Sequence, residues 1–249
     1  MPVRTVRHHA KWVKSPSEPA STPITGPDAG VYATQMEVEL QYLYAGAGPA
    51  VVPTELAGLT LTTSQNVAIM DTYFDTEALG LRGAGCSLRI RMSDREPGAQ
   101  LTWKGPARRL GRSAKERLEV NIPVDSVVEE SGELERLLTD HGLLESVCGA
   151  ADIAADAELH AIGTLRNNRS THEYAQGLHR LELSWDRLEY PVGPSETRLE
   201  VEVKSEFAER FLDTVDEQLQ ELFGSALTPP ERGKVRELCE RLYPELLAA

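Results

Sequence analysis

Charged residues recur at every second position in several short stretches of this chain. Glu37 and Glu39 do so, as do Arg89 and Arg91, Arg117 and Glu119, and Glu200, Glu202 and Lys204. Apolar residues stand between them: Val38 and Leu40, Leu88 and Ile90, Leu118 and Val120, Leu199, Val201 and Val203. Two residues is the side-chain period of a β-strand, so each stretch is an expected strand with one apolar and one charged face. Leu101 and Trp103 alternate with Thr102 and Lys104 in the same way. The strand pattern runs from residue 31 to about 122. It returns at about 159–166, 171–176, 179–190 and 198–204. Helical spacing occupies 126–145, through Leu134, Leu137, Leu138, Leu143 and Leu144. Two amphipathic helices are predicted near 206–223 and 231–246, the second preceded by Pro229 and Pro230, where proline suits a helix start. Strands joined by turns rather than by regular helices predict an antiparallel sheet or barrel in an α+β chain.

The charged faces leave two readings open. On an open sheet they are solvated, and neighbouring like charges repel only modestly. Inside a closed barrel the same side chains lose water, and each must be paired or bind an ion, because an isolated buried charge costs several kcal/mol. One arrangement satisfies all of them. Carboxylates hold a hard divalent cation, Mg²⁺ or Mn²⁺, while arginines and lysines hold a phosphate chain that the cation bridges.

Composition narrows the partners. The 249 residues carry 39 acids against 26 bases, a net charge of −13, which argues against a general nucleic-acid binder. Residues 129–160 hold nine acids and one base, Arg136, and read as a solvated acidic face. Residues 1–30, rich in Pro, Ser, Thr and Gly, read as a disordered leader, with one folded domain expected over 31–249. No run of apolar residues is long enough for a membrane helix, and no apolar signal core opens the chain. A cytoplasmic protein is the expectation, with a homodimer left open.

Other residues have plainer readings. Cys86, Cys148 and Cys239 are widely spaced, without a CxxC pair, and read as isolated buried thiols. His8, His9, His141, His160, His172 and His179 lack ligand spacing. Trp103, Trp185 and Tyr190 read as packing residues, and Gly83 and Gly85 as turn formers. Asp75 reads as a turn cap, and Asp186 either as a member of the acidic set or as a rim ion pair.

Five segments together resemble the CYTH family, the triphosphate tunnel metalloenzymes. They are EVELQ at 37–41, DTYFDT at 71–76 with LRGAGCSLRIR at 81–91, LTWKGP at 101–106, KERLE at 115–119 and EVEV at 200–203. The likeness spans about 35–240, and the second segment is its most specific part. The resemblance implies an eight-stranded antiparallel barrel forming a tunnel, with peripheral and C-terminal helices. It implies a metal-dependent phosphohydrolase acting on a small triphosphate: inorganic triphosphate, a nucleotide or thiamine triphosphate. An adenylyl cyclase making cyclic AMP, and a non-catalytic module for polyphosphate or another phosphometabolite, are the alternatives. By the same resemblance, Glu37, Glu39, Glu119, Glu200 and Glu202 are expected to hold Mg²⁺ or Mn²⁺. Arg89, Arg91, Lys104, Arg117 and Lys234 are expected to hold phosphate, with Arg166 or Arg169 as a further basic position on a later strand, and with Glu37, Glu39 and Lys104 as the catalytic set. Gln41 departs from the family pattern, whose N-terminal strand ends in lysine at that position.

Overall fold

The computed structural model describes residues 33–46, 51–110, 114–125, 128 and 131–247. The leader expected over 1–30 lies outside the described residues. In chain order the strands are β1 Ala33–Tyr44, β2 Glu55–Leu56, β3 Leu59–Asp75, β4 Ser87–Ser93, β5 Ala99–Lys104, β6 Arg108–Arg109, β7 Ala114–Val124, β8 His160–Gln176, β9 His179–Glu189, β10 Glu196–Val203 and β11 Leu227–Thr228. The helices are α1 Gly80–Gly83, α2 Ser131–Asp140, α3 Leu144–Ala151, α4 Leu212–Phe223 and α5 Lys234–Leu242.

The strands close on themselves. β1 pairs antiparallel with β10 along one edge and with β7 along the other. Between those two the order runs β10-β9-β8-β3-β4-β5-β7. Among the described residues eight strands thus form a closed antiparallel barrel, with β2, β6 and β11 as short additions. Closure gives each of the eight barrel strands a neighbour on both sides.

Among the described residues, two of the three apolar clusters lie outside the barrel wall. Leu40 and Tyr42 of β1, Leu183 of β9 and Val201 of β10 pack on Leu212, Val215 and Leu219 of α4. Leu88 and Ile90 of β4, with Trp103 of β5 and Ile122 of β7, pack on Leu134 and Leu138 of α2 and Val147 of α3. The third cluster closes one end of the barrel: Leu165 of β8 and Leu188 of β9, on the same strand faces as Arg169 and Asp186, together with Ile162, receive Leu238 and Cys239 of α5. α2, α3 and α4 therefore bury the apolar outer faces of the strands, and alternation sends the charged faces into the lumen. Trp103, Trp185 and Tyr190 are packing residues, as their spacing predicts. All three cysteines are buried free thiols.

Several boundaries differ from the sequence pattern. The separate strands expected at 159–166 and 171–176 are one strand of 17 residues, β8, and β3 is equally long. The polar run Thr62–Asn66 hides β3 from a period-two reading, because this end of the strand is exposed on both faces. The helical stretch at 126–145 divides into α2 and α3 at Gly142, whose φ of +65° suits glycine. The last helix spans Lys234–Leu242, shorter at both ends than expected. Gly163 lets α5 approach β8, since a Cβ there would stand 2.7 Å from Leu242 Cδ1. Asp75 caps α1: its carboxylate accepts from the backbone N–H groups of Thr76, Leu81 and Arg82, each at 2.8 Å.

Candidate active site

The barrel interior is a polar cavity of about 420 Å³. Each barrel strand sends alternate side chains into it. β1 contributes Glu37, Glu39 and Gln41, and β4 contributes Arg89 and Arg91. Lys104 comes from β5, and Lys115, Arg117 and Glu119 from β7. The other wall carries Arg169 of β8, Glu182 of β9 and Glu200, Glu202 and Lys204 of β10. Lys234, at the first turn of α5, reaches in over the end of the barrel.

The cations are held in place by acids. Asp71, 1% exposed on β3, takes Arg91 in a two-pronged pair, with Nε at 2.7 Å and Nη2 at 2.8 Å, and takes Arg89 at 3.3 Å. Burial opposes the Asp71 charge, yet Arg89 and Arg91 hold its carboxyl well below the usual range. The Nε of Arg89 is buried without a hydrogen-bond partner among the described residues. Asp186 is fully buried and fixes two more cations, Arg169 at 2.6 and 2.7 Å and Lys234 at 2.5 Å. Glu200 completes that group, at 2.9 Å from both Arg169 Nη2 and Lys234 Nζ. Against the burial that disfavours its charge, Asp186 and Glu200 raise the Lys234 ammonium above its ordinary range. Sequence alone left Asp186 between two roles; the structure makes it the anchor of Arg169 and Lys234.

The carboxylates of β1 are paired too. Glu37 accepts from Lys104 and from Arg117 Nε, each at 2.6 Å. Burial opposes its charge, but those two cations hold it far below the usual carboxylate range. Glu39 meets Arg117 Nη2 at 3.2 Å and Lys115 Nζ at 3.1 Å. Glu119 contacts Lys104 and accepts from Asn121 at 2.5 Å. Glu202 stands directly opposite Glu39 on the neighbouring strand. Burial raises Glu202 to about 7. Lys204 at 2.7 Å pulls the other way, and Glu37 adds to the rise.

These acids fit a hard divalent cation by chemistry. The donors are carboxylate oxygens, the set preferred by Mg²⁺ and Mn²⁺. Glu202 is a desolvated acid with a like charge close by, a condition that a bound cation relieves. Among the described residues no three acids, histidines or cysteines are yet grouped as a ready-made centre, because Lys104, Lys115 and Arg117 occupy the β1 carboxylates.

Of the two candidates for the further basic position, one falls elsewhere. Arg166 is exposed on the outer face of β8, opposite Met70 and Glu189 in the sheet register, and does not reach the tunnel. Arg169, three residues on, faces inward, as an odd spacing on a strand requires. The remaining expected residues, namely Glu37, Glu39, Arg89, Arg91, Lys104, Arg117, Glu119, Glu200, Glu202 and Lys234, all line the cavity. Asp71, Lys115 and Glu182 were not singled out from sequence, although each lies on a strand at even spacing from a residue that was. Lys115 precedes Arg117 and Glu119 by that period, and Glu182 precedes Asp186.

The sequence pattern of the CYTH domain matches residues 35–232. No curated protein matches the chain in sequence. Among solved structures, the protein HpAC1 from Hippeastrum, described as having a dominant triphosphatase activity, aligns with a TM-score of 0.57 at 21% identity, over 81% of this chain and 94% of that one. A Pyrococcus horikoshii protein aligns at 0.47 and 16% identity, over 82% and 98% of the two chains. The S. pombe RNA triphosphatase aligns at 0.32 and 12% identity, over 84% and 85%. The first of these supports the same barrel architecture; the other two are too distant in shape to carry an argument.

Proposed function

The chain belongs to the CYTH domain family, and from that membership we propose that it is a divalent-metal-dependent phosphohydrolase cleaving a small triphosphate inside its barrel. The carrying observation is a single cavity in which Arg89, Arg91, Lys104, Arg117, Arg169 and Lys234 converge beside a bank of carboxylates. Such an interior suits a substrate dense in negative charge that arrives with a cation.

The ion pairs describe a tunnel that neutralises itself until substrate enters. A phosphate chain competes with Glu37 for Lys104 and Arg117, and meets the donors of Arg89, Arg91 and Arg169 that Asp71 and Asp186 leave open. Asp71 and Asp186 are too deeply buried to follow, so they keep those guanidiniums aimed while phosphate takes the remaining donors. The carboxylates relieved of Lys104 and Arg117 become oxygen donors. Glu37, Glu39, Glu200 and Glu202 are the residues that would hold Mg²⁺ or Mn²⁺, with Glu119 contributing from the far side of Lys104. The cation supplies charge stabilisation at the phosphoryl oxygens. Lys104 neutralises charge on the phosphate that departs, and Glu39 orients the attacking water.

The test is phosphate release from inorganic triphosphate, ATP, thiamine triphosphate and diphosphate esters, each with Mg²⁺, Mn²⁺ or EDTA. Metal-dependent orthophosphate release supports the proposal, and the best substrate names the class. Cyclic AMP and pyrophosphate from ATP would replace it with a cyclase. Tight binding without turnover would replace it with a binding module.

A further inference from the structure

Gln41 is an uncharged side chain that β1 sends into the tunnel two residues beyond Glu39, and both ends of its amide are engaged. Its Nε2 donates to Glu200 Oε1 at 2.6 Å and, more weakly, to Glu39 Oε2 at 3.3 Å. Its Oε1 accepts from Lys115 Nζ at 2.7 Å. An amide is the side chain that can donate to acids on one side and accept from an ammonium on the other. Lysine at 41 has no acceptor and would set two ammonium groups against each other.

Lys115 is more than a counter-ion to Glu39. Glu39 already receives Arg117, and the distance from Lys115 to Glu39, 3.1 Å, exceeds its distance to the neutral Gln41 oxygen. A neutral acceptor positions an ammonium without cancelling its charge. Gln41 and Glu39 place two of the three N–H groups of Lys115, leaving the third for an oxygen of a ligand. Gln41, Lys115 and Arg117 also line a second cavity of about 360 Å³ beside the tunnel, so the ammonium stands where the two spaces meet.

We propose that Lys115 is a phosphate-binding residue at this junction and that Gln41 is its positioning residue, the pair acting as one unit. The inference rests on the tunnel being a triphosphate site. It assigns that site a contact at the end facing the second cavity, carried by β7 rather than by β1.

Calorimetry with inorganic triphosphate in EDTA tests the pair without turnover. Wild type, Lys115→Gln, and Lys115→Gln combined with Gln41→Lys are compared, with thermal unfolding run on each to establish folding. Lys115→Gln is expected to weaken binding about tenfold, the effect of losing one charge-assisted hydrogen bond. The double variant, which moves the ammonium to position 41, is expected to recover most of that loss. A role confined to neutralising Glu39 would shift the unfolding temperature without this pattern of loss and rescue in affinity. Unchanged affinity in folded Lys115→Gln overturns the inference and leaves the tunnel reading intact. A double variant as weak as Lys115→Gln overturns the pairing with Gln41. Folded wild type that binds no triphosphate overturns the tunnel reading and the inference with it.

Discussion

Asp71 grips Arg91 through both carboxylate oxygens, at 2.7 and 2.8 Å, from a position with 1% exposure. The same carboxylate holds Arg89, so one buried acid aims two arginines at the lumen. Asp71→Asn leaves both guanidiniums without their counter-charge. Breaking one partner of a buried pair costs about 3–5 kcal/mol, so urea denaturation should show a loss of that order, and triphosphate affinity should fall with it. The Asp71 carboxyl titrates well below its ordinary value, so its stabilising contribution is present above about 3.8 and is lost as pH falls below that. The difference between wild type and Asp71→Asn should therefore be large at pH 7 and shrink in strong acid.

Glu202 has the opposite sign. Its folded-state value is about 7 against an ordinary 4.5, so the folded protein holds a proton that the unfolded chain has already lost. The stability associated with that proton is present below 4.5 and disappears as pH rises through 7. Glu202→Gln should match wild type near pH 4.5 and exceed it in stability at pH 8, by at most about 3 kcal/mol. Thermal unfolding across pH reads this directly, and a gap that does not widen with pH would count against the buried charge.

The same residue reports on metal binding. Mn²⁺ at pH 7.5 should raise the unfolding temperature of wild type more than that of Glu202→Gln, because the variant lacks one oxygen anion of the proposed set. Equal rises would remove Glu202 from that set.

Arg166 and Arg169 separate surface from site. Arg166 is exposed on the outer wall, and Arg169 bridges Asp186 and Glu200 inside it. Arg166→Ala should leave phosphate release unchanged. Arg169→Ala should lower it by about tenfold or more, with part of the loss in KM as binding of the phosphate chain weakens. Equal effects of the two changes would contradict the inward assignment.

The barrel was legible where strands alternate cleanly between charge and apolar residues. Glu37 with Glu39 and Arg89 with Arg91 point inward because Leu40 and Ile90 must meet helices outside. β3 was not legible, because its exposed end carries polar residues on both faces and no period stands out. The choice between Arg166 and Arg169 depends on strand phase through 160–176. The register shift between Tyr73 and Phe74 on the neighbouring strand shows that this region is not regular. Gln41 was visible as a departure from the family pattern. Its partner Lys115 was not, because it comes from β7, which pairs with β1 only when the barrel closes. Asp71 and Asp186 went unrecognised as anchors for a related reason: their partners lie on other strands, at distances in sequence that local pattern does not span.

The most direct measurement is orthophosphate release from inorganic triphosphate by wild type and by Glu39→Gln, each with Mn²⁺ and with EDTA. Release by wild type that requires Mn²⁺ and falls by two or more orders of magnitude in a folded Glu39→Gln is the expected result, in line with loss of an essential catalytic carboxylate. Release that persists in EDTA, or that Glu39→Gln sustains at the wild-type rate, would contradict a metal-dependent hydrolase built on the β1 carboxylates.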